Sequence, residues 1–445
     1  MNQLPTDFLI GAATAAHQVE GNNVHSDYWA MEHMKYTSFV EPSLDAVDHY
    51  NRFEEDIRLM AEAGLNAYRF SIEWARIEPK EGEFDEHEIA HYRSVLECCR
   101  ANGIEPIVTM HHFTSPKWLI GKGGWEAQET VDYFARYCKY VAEQLGELMK
   151  YVCTINEANM GLQIAAISER YMKQMQAKMQ QAAGKAQSES DESGAAGNQE
   201  GTVQVGLNMS AMMENMQKQK QENLEIFGTD DPHTFVSART KEGDILVMKA
   251  HQAAKAAMKE VRPELLVGLT LSLHDIQAIE GGEEKAAKEW EEEFTHYLPY
   301  LKDDDFFGLQ NYTRSIIGAD GIQPNPEGAR VTQMDYEDYP EALGHVIRKV
   351  YGDLKIPIMV TENGIATSDD AQRVTFIQKA LSGVEACIAD QIPVIGYMYW
   401  SLLDNFEWQK GYSMTFGLVE VDRNTQIRKP KPSLEVLGSF TNNKK

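Results

Sequence analysis

The sequence lacks any long apolar run. No uninterrupted apolar stretch approaches the roughly 20 residues that a helix needs to span a bilayer. The first residues, Met1 to Asp7, also lack the basic segment of a secretory signal. These absences predict a soluble, cytoplasmic protein without a membrane partner.

Basic residues are scarce relative to acidic ones. The chain has 42 Lys and Arg against 68 Asp and Glu, which gives a net charge of −26. Such an acidic surface repels phosphate backbones and anionic lipid heads. Nucleic acid is therefore not an expected partner.

Cysteine is also sparse, and the spacing of the cysteines is not that of a metal site. The five cysteines form no CxxC pair and lie near no spaced histidine cluster. We expect reduced and mostly buried side chains and no metal site. They are Cys98, Cys99, Cys138, Cys153 and Cys387.

Apolar, β-branched runs recur along the chain, and segments with apolar residues at helical spacing separate them. This alternation, with no linker dividing the chain, predicts a single (β/α)8 barrel domain over residues 1–445. The strand-like runs are Phe8–Ala13, Ala67–Ile72, Pro106–His111, Tyr151–Ile155, Leu265–Leu271, Phe306–Tyr312, Ile358–Thr361 and Val394–Trp400.

One insertion, residues 168–231, follows the fourth strand and is much longer than a usual barrel loop. Its middle, Gly184 to Thr202, is poor in apolar residues, which predicts a mobile or disordered stretch. Methionines at helical spacing on both sides predict two amphipathic helices. Two interpretations stay open: a surface segment whose methionines pack on each other, or a lid that lines an apolar outer subsite.

Two glutamates end strand-like runs about two hundred residues apart. Glu157 follows Thr154-Ile155-Asn156, and Glu362 follows Val360-Thr361. In a parallel barrel both side chains would reach the same mouth. Cleavage of a glycosidic bond through a covalent intermediate needs two carboxyl groups about 5 Å apart. The pair fits that need.

Several motifs, in order along the chain, resemble those of family 1 glycoside hydrolases, the β-glucosidase family. The resemblance extends from near the N-terminus to Asp422 and is interrupted mainly by the insertion. It implies a retaining β-glycosidase on a (β/α)8 barrel that needs no metal or cofactor. The motifs are Phe8–Gly21, Tyr68–Trp74, Thr154–Glu157, Thr361–Gly364 and Trp400–Trp408.

The resemblance also implies roles for individual residues. Glu157 matches the acid/base, and Glu362 matches the nucleophile. Arg69 and Tyr312 match the residues that hold the nucleophile. The positions that match sugar-binding residues are Gln18, His112, Asn156, Trp400, Glu407, Trp408 and Phe416.

The chain departs from the family pattern at several positions near these residues, among them His17, where a Tyr is common. Phe113 stands where a Trp is usual, and Gln310 and Asn311 replace an Asn and a Tyr. These changes leave the sugar preference open. Glu407 resembles the form that acts on free sugars, since a phosphate beside it would meet like-charge repulsion.

The sequence therefore predicts a retaining exo-β-glycosidase for terminal β-D-glucosyl residues, with β-D-galactosyl and β-D-fucosyl residues as further substrates. Its partner is a small β-glycoside or oligosaccharide, and the sequence leaves the oligomeric state undetermined. Two alternatives stay open. One is a transglycosidase that uses the same two glutamates, and the other is a non-catalytic carbohydrate-binding barrel.

Overall fold

Eight parallel strands form a closed barrel in the computed structural model, which describes residues 4–185, 206 and 208–441. Each strand pairs with the next along the chain, and the eighth pairs with the first. We number them β1 (Leu9–Ala13), β2 (Ala67–Ser71), β3 (Glu105–His111), β4 (Tyr151–Ile155), β5 (Leu266–Ser272), β6 (Phe306–Gln310), β7 (Ile358–Asn363) and β8 (Val394–Trp400).

The predicted (β/α)8 barrel is thus confirmed. Each of the eight predicted strands is a barrel strand, and no boundary differs by more than two residues. The prediction succeeded because strands buried on both faces are nearly continuous apolar runs, which are easy to detect.

Helices surround the barrel. Those that cover it are α1 (His49–Ala63), α2 (Glu86–Ala101), α3 (Thr130–Leu145), α4 (Lys241–Val261), α5 (Glu283–Glu293), α6 (Ala342–Asp353), α7 (Asp370–Ala389) and α8 (Pro432–Gly438). Short helices lie in the connections: Ala16–Val19, Asp27–Glu32, Trp74–Ile77, Lys117–Ile120 and Leu298–Leu301.

Local sequence signals fix several helix ends. Asp85 Oδ1 accepts a hydrogen bond from His87 N at 2.8 Å at the start of α2. Thr240 Oγ1 accepts one from Gly243 N at 3.0 Å at the start of α4. Such caps satisfy amides that have no partner within the helix. Helix α1 ends at Gly64, whose φ of 93° a residue with a Cβ rarely adopts.

Apolar side chains form two layers. The larger core lies between the strands and the helices and includes Val108, Val152 and Val360. A smaller cluster, which includes Ile107, Cys153 and Met359 on the same strands, fills the barrel interior. The alternation follows from the two-residue period of a strand.

Two small sheets outside the barrel were not predicted from the sequence. Strands Asp275–Ala278, Arg314–Gly318 and Gly321–Ile322 form one, and Val419–Val421 pairs with Arg428–Pro430 in the other. They are two to five residues long, which is too short for a clear alternating pattern.

The insertion contributes two helices, Met160–Lys185 and Met209–Phe227. The first begins before Ser168, so the chain leaves the regular barrel pattern earlier than predicted. Most of the stretch predicted to be mobile, 186–202, lies outside the described residues. Within the described part of the chain, no helix combines the length and apolar character needed to cross a membrane.

Candidate active site

The two glutamates singled out by the sequence lie at the carboxyl ends of β4 and β7. The β7 strand reaches its end through a bulge, because Val360 and Glu362 pair with the consecutive residues Leu309 and Gln310 of β6. A bulge reverses the face to which the following side chains point. Glu362 consequently shares the barrel interior with Arg69 of β2 instead of facing the helices.

The Glu362 carboxylate is held from two sides. Arg69 Nη1 donates to Oε1 at 2.5 Å, and Tyr312 Oη donates to Oε2 at 2.5 Å. Burial raises the pKa of Glu362, while the charge of Arg69 and both hydrogen bonds oppose this by favouring the ionised form. Burial also raises the pKa of Tyr312 well above its usual value, so the phenol keeps the proton that it donates.

Glu157 lies two residues beyond the end of β4 in a left-handed backbone conformation, with φ of 46°. Thr270 of β5 fixes it: Thr270 Oγ1 accepts from Glu157 N at 2.9 Å, and Thr270 O accepts from Ala158 N at 3.0 Å. The carboxyl is 3% exposed, and its Oε2 has no hydrogen-bond partner among the described residues.

Glu157 and Glu362 have opposite electrostatic environments. Burial and then the charge of Glu362 raise the pKa of Glu157 well above its usual value. Arg69 and Tyr312 bind Glu362 directly and do not bind Glu157. The ionised member of the pair is therefore Glu362, and Glu157 carries the proton. A nucleophile and a proton donor side by side are what glycoside cleavage through a covalent intermediate requires.

Asn156 connects Arg69, the partner of Glu362, to other residues of the site. Its Oδ1 accepts from Arg69 Nη2 and from Gln310 Nε2, both at 2.6 Å. Since these groups can only donate, the amide orientation is fixed, and Nδ2 donates to His112 Nε2 at 3.1 Å. Burial lowers the pKa of His112 well below its usual value, so the ring is neutral with its proton on Nδ1.

Aromatic rings form one wall of the site. His112 stacks with both Trp400 and Trp408, with ring centroids 5.6 and 6.1 Å away and interplanar angles of 24° and 25°. His17 also stacks on Trp408, at 6.0 Å and 4°. Phe113, at the position of the usual Trp, packs on Trp408 at 5.1 Å. Together these rings offer an apolar face to a pyranose.

Gln18 and Glu407 lie together at another side of the site. Gln18 Nε2 donates to Phe406 O at 2.8 Å and is 3.4 Å from Glu407 Oε2. This leaves Gln18 Oε1 as a buried acceptor without a partner among the described residues. Burial, followed by the charge of Glu362, raises the pKa of Glu407 to about 8. Phe416 packs edge-on to Tyr312 at 6.2 Å.

The structure thus brings all the predicted site residues to the barrel mouth. Sequence reasoning missed Tyr336, which is 1% exposed and packs in the same cluster as Trp400 and Tyr312. Its hydroxyl has no partner among the described residues. Tyr336 comes from a loop with no strand or helix pattern, so no sequence signal identified it. The contact of Gln310 with Asn156 was also not foreseen.

Several polar atoms at the mouth are buried without a protein partner in the described part of the chain. Leaving such atoms unsatisfied costs about 1–3 kcal/mol each. The hydroxyls of a sugar would satisfy them. The atoms are Gln18 Oε1, His112 Nδ1, Glu157 Oε2, Gln310 Oε1 and Tyr336 Oη.

Among the described residues, no three His, Cys, Asp or Glu side chains converge in a way that could hold a metal ion. The five cysteines are free thiols, four of them buried, and Cys98 is partly exposed.

Comparisons with known proteins identify the family to which this barrel belongs. The family model for glycosyl hydrolase family 1 matches residues 1–445. A beta-glucosidase from Agrobacterium sp. is 31% identical, covering 97% of this chain and 94% of the relative. A 6-phospho-beta-galactosidase from Lacticaseibacillus casei is 30% identical, covering 99% and 98%.

Solved structures similar to this chain include further β-glycosidases. The crystal structure of beta-glycosidase BGL167 is 44% identical, with a TM-score of 0.82 and coverage of 98% of this chain and 97% of that one. The apo structure of a beta-glucosidase, 1317, is 39% identical, with a TM-score of 0.83 and coverage of 98% of both chains. The chain belongs to glycosyl hydrolase family 1 and is a glycoside hydrolase.

Proposed function

We propose that this enzyme is a retaining exo-β-glycosidase that removes terminal β-D-glucosyl residues from free, unphosphorylated glycosides. Glu362 attacks the anomeric carbon, and Glu157 protonates the leaving oxygen and then activates water. The observation that carries the proposal is the asymmetric environment of the two carboxyls. Arg69 and Tyr312 keep Glu362 ionised, while burial and the charge of Glu362 keep Glu157 protonated.

Charge at the site favours a free sugar over a phosphorylated one. Glu407 is buried, and its nearest side-chain donor is the neutral amide of Gln18. A phosphate dianion at this position would meet the acidic side chain of Glu407 and the neutral amide of Gln18 instead of the cations that normally bind phosphate. Because a 6-phospho-beta-galactosidase is among the relatives, this distinction needs a direct test.

Burial supports action on terminal residues. Gln18, Glu407 and Trp408 are each no more than 3% exposed. A substrate that continued past this end of the site would have to displace packed side chains, so the bound sugar is the last in its chain. The aglycone leaves from the side of Glu157.

Galactosides and fucosides remain candidate substrates. Galactose differs from glucose in the orientation of one hydroxyl, and Gln18 Oε1 and the Glu407 carboxylate can both accept hydrogen bonds from either arrangement. We expect hydrolysis of p-nitrophenyl β-glucoside to be fastest and the β-galactoside and β-fucoside to follow.

The test is the initial rate on p-nitrophenyl β-glucoside, β-galactoside, β-fucoside, β-mannoside and β-glucoside 6-phosphate. Glu362→Gln should lower turnover by about three orders of magnitude or more. Glu420→Gln, at the exposed position of strand Val419–Val421, is the matched control and should behave as wild type. NMR of the first product should show the β-anomer. Initial release of the α-anomer would exclude the retaining mechanism.

A further inference from the structure

A short segment after the undescribed part of the insertion lies against the sugar site. This segment, here called the strap, consists of Gly206, Asn208 and the helix Met209–Phe227. Gly206 is buried, and its backbone packs on Glu407. The strap is therefore in contact with a residue to which the proposed function gives a role in substrate binding.

The contact between Gly206 and Glu407 leaves no room for a side chain. A Cβ at position 206 would lie 2.5 Å from Glu407 O and 3.0 Å from Glu407 Cγ. Contacts under 3.0 Å to a backbone atom require the chain to shift. Glycine at this position thus allows the backbone to approach Glu407 closely. Its φ is not in the left-handed region, so an unusual backbone conformation is not the reason for glycine here.

Polar contacts hold Gly206 in this position. Gly206 O accepts from Gln409 N at 3.0 Å, and Gln409 Oε1 accepts from Asn208 N at 2.7 Å. The Gly206 amide is directed at the Glu407 carboxylate and favours its ionised form, as does Gln18. The segment 407–409 and the start of the strap therefore form one hydrogen-bonded unit.

The strap helix is in turn anchored to the segment 35–38. Asn215 Nδ2 donates to Thr37 O at 3.1 Å, and Gln219 Nε2 donates to Tyr36 O at 2.6 Å. Glu222 accepts from Lys35 N at 2.9 Å and from Tyr36 N at 3.1 Å. Successive turns of the strap helix thus each bind backbone groups of segment 35–38, which fixes the position of the helix along that segment.

We propose that Gly206 is a specificity-determining residue: its backbone positions Glu407 and fills the space beyond that carboxylate. The site consequently accepts a terminal sugar that carries only hydroxyl groups at the end opposite its anomeric carbon. A larger substituent there, such as a phosphate, is excluded. This inference rests on the proposed function, because it assumes that Glu407 binds sugar hydroxyls.

The effect should be measurable through Glu407. Gly206→Ala should displace the carboxylate and lower kcat/KM on p-nitrophenyl β-glucoside on the order of 10²-fold, the loss typical of a 1 Å misplacement. A rise in KM should accompany the fall in kcat, since ground-state contacts are lost as well. Gly352→Ala is the matched control, because a Cβ there meets nothing within 4 Å.

The decisive experiment is a double-mutant cycle with Glu407→Gln. If Gly206 acts through Glu407, the double variant is no worse than Glu407→Gln alone. Additive losses, or a Gly206→Ala variant as active as wild type, would overturn the inference. If Gly206→Ala does not fold, Asn208→Ala takes its place in the cycle, because it removes the Ser38 contact and the helix cap. The same coupling, with a smaller loss, is then expected.

A second measurement addresses the excluded substrate. Wild-type enzyme should cleave p-nitrophenyl β-glucoside and leave its 6-phosphate intact. Comparable cleavage of both would overturn the inference about space beyond Glu407 and the preference for unphosphorylated glycosides, and would leave the β-glucosidase activity standing. Cleavage of neither would instead refute that activity, so the two failures are distinguishable.

Discussion

Tyr312 and Glu362 are joined by a 2.5 Å hydrogen bond from the phenol to Oε2, on the side of the carboxylate opposite Arg69. The bond links a residue just beyond β6 to the end of β7. It stabilises the charged form of Glu362, and so it helps to set the pH below which the proposed nucleophile is protonated.

Removing that bond should shift the acid limb of the pH profile. In Tyr312→Phe the ionised carboxylate loses one donor, so the pKa of Glu362 rises and activity is lost at higher pH than in wild type. The expected shift of the acid limb in kcat/KM is on the order of one pH unit. Tyr297→Phe is the control, because its phenol also donates to a buried carboxylate, Asp244, outside the barrel mouth. An unchanged acid limb would contradict the role of Tyr312.

Loss of the proton donor should depend on the leaving group. Glu157→Ala should retain much of the kcat/KM on 2,4-dinitrophenyl β-glucoside, whose leaving group needs no protonation, and lose about 10²–10⁴-fold in kcat/KM on alkyl glucosides. Its kcat on the activated substrate should fall, because release of the sugar still needs a base. The alkaline limb should also disappear, because the pKa of Glu157 lies well above its usual value and deprotonation ends acid catalysis. Equal losses on both substrates would refute the acid/base assignment.

Gln310 should act through Asn156. Gln310→Met removes the donor to Asn156 Oδ1 while keeping a side chain of similar length. We expect kcat/KM on p-nitrophenyl β-glucoside to fall about tenfold, the value of one hydrogen bond. The fall should be much smaller on the 2-deoxy glucoside if Asn156 binds the 2-hydroxyl. Similar falls on both substrates would mean that Gln310 only supports packing.

A buried ionic contact should stabilise the outer face of the barrel. Asp56 of α1 binds Arg428 Nε and Nη2 at 2.8 and 2.9 Å and His49 Nδ1 at 2.8 Å. Asp56→Ala leaves the Arg428 charge buried and unpaired, which should cost about 3–5 kcal/mol in the free energy of unfolding. Arg58→Ala, on the same helix, breaks an exposed pair with Glu62 and should cost under about 1 kcal/mol. Thermal denaturation of both variants gives the comparison.

The same contact predicts acid sensitivity. The partners Arg428 and His49 outweigh burial and lower the pKa of Asp56 below its usual value. A lowered folded-state pKa gives stability that is present above the unfolded pKa and lost as pH falls through the folded one. Wild type should therefore lose stability below about pH 4, and Asp56→Asn should show a weaker dependence in that range.

The barrel could be predicted from the sequence because its signals are local. Each strand is a continuous apolar run, and Glu157 and Glu362, the proposed catalytic residues, end such runs. The sequence could not show the bulge at Glu362, because a bulge depends on the register between neighbouring strands. It also could not show that Gln310 reaches Asn156, since that contact joins residues 154 positions apart.

Residues from irregular loops were the hardest to predict. Tyr336 and Gly206 both reach the sugar site from segments without helical or strand periodicity. Glu, Asn and aromatic residues at strand ends carry recognisable sequence motifs, whereas a glycine whose importance lies in the absence of a side chain carries none.

The backbone at Glu157 illustrates a conflict between folding and catalysis. A non-glycine residue with φ of 46° is strained by about 1–3 kcal/mol, and here it also buries a carboxyl atom that has no partner among the described residues. Selection for folding alone would favour glycine at this position. The enzyme is thus less stable than its own scaffold allows, and Glu157→Gly would stabilise the fold while removing the proposed proton donor.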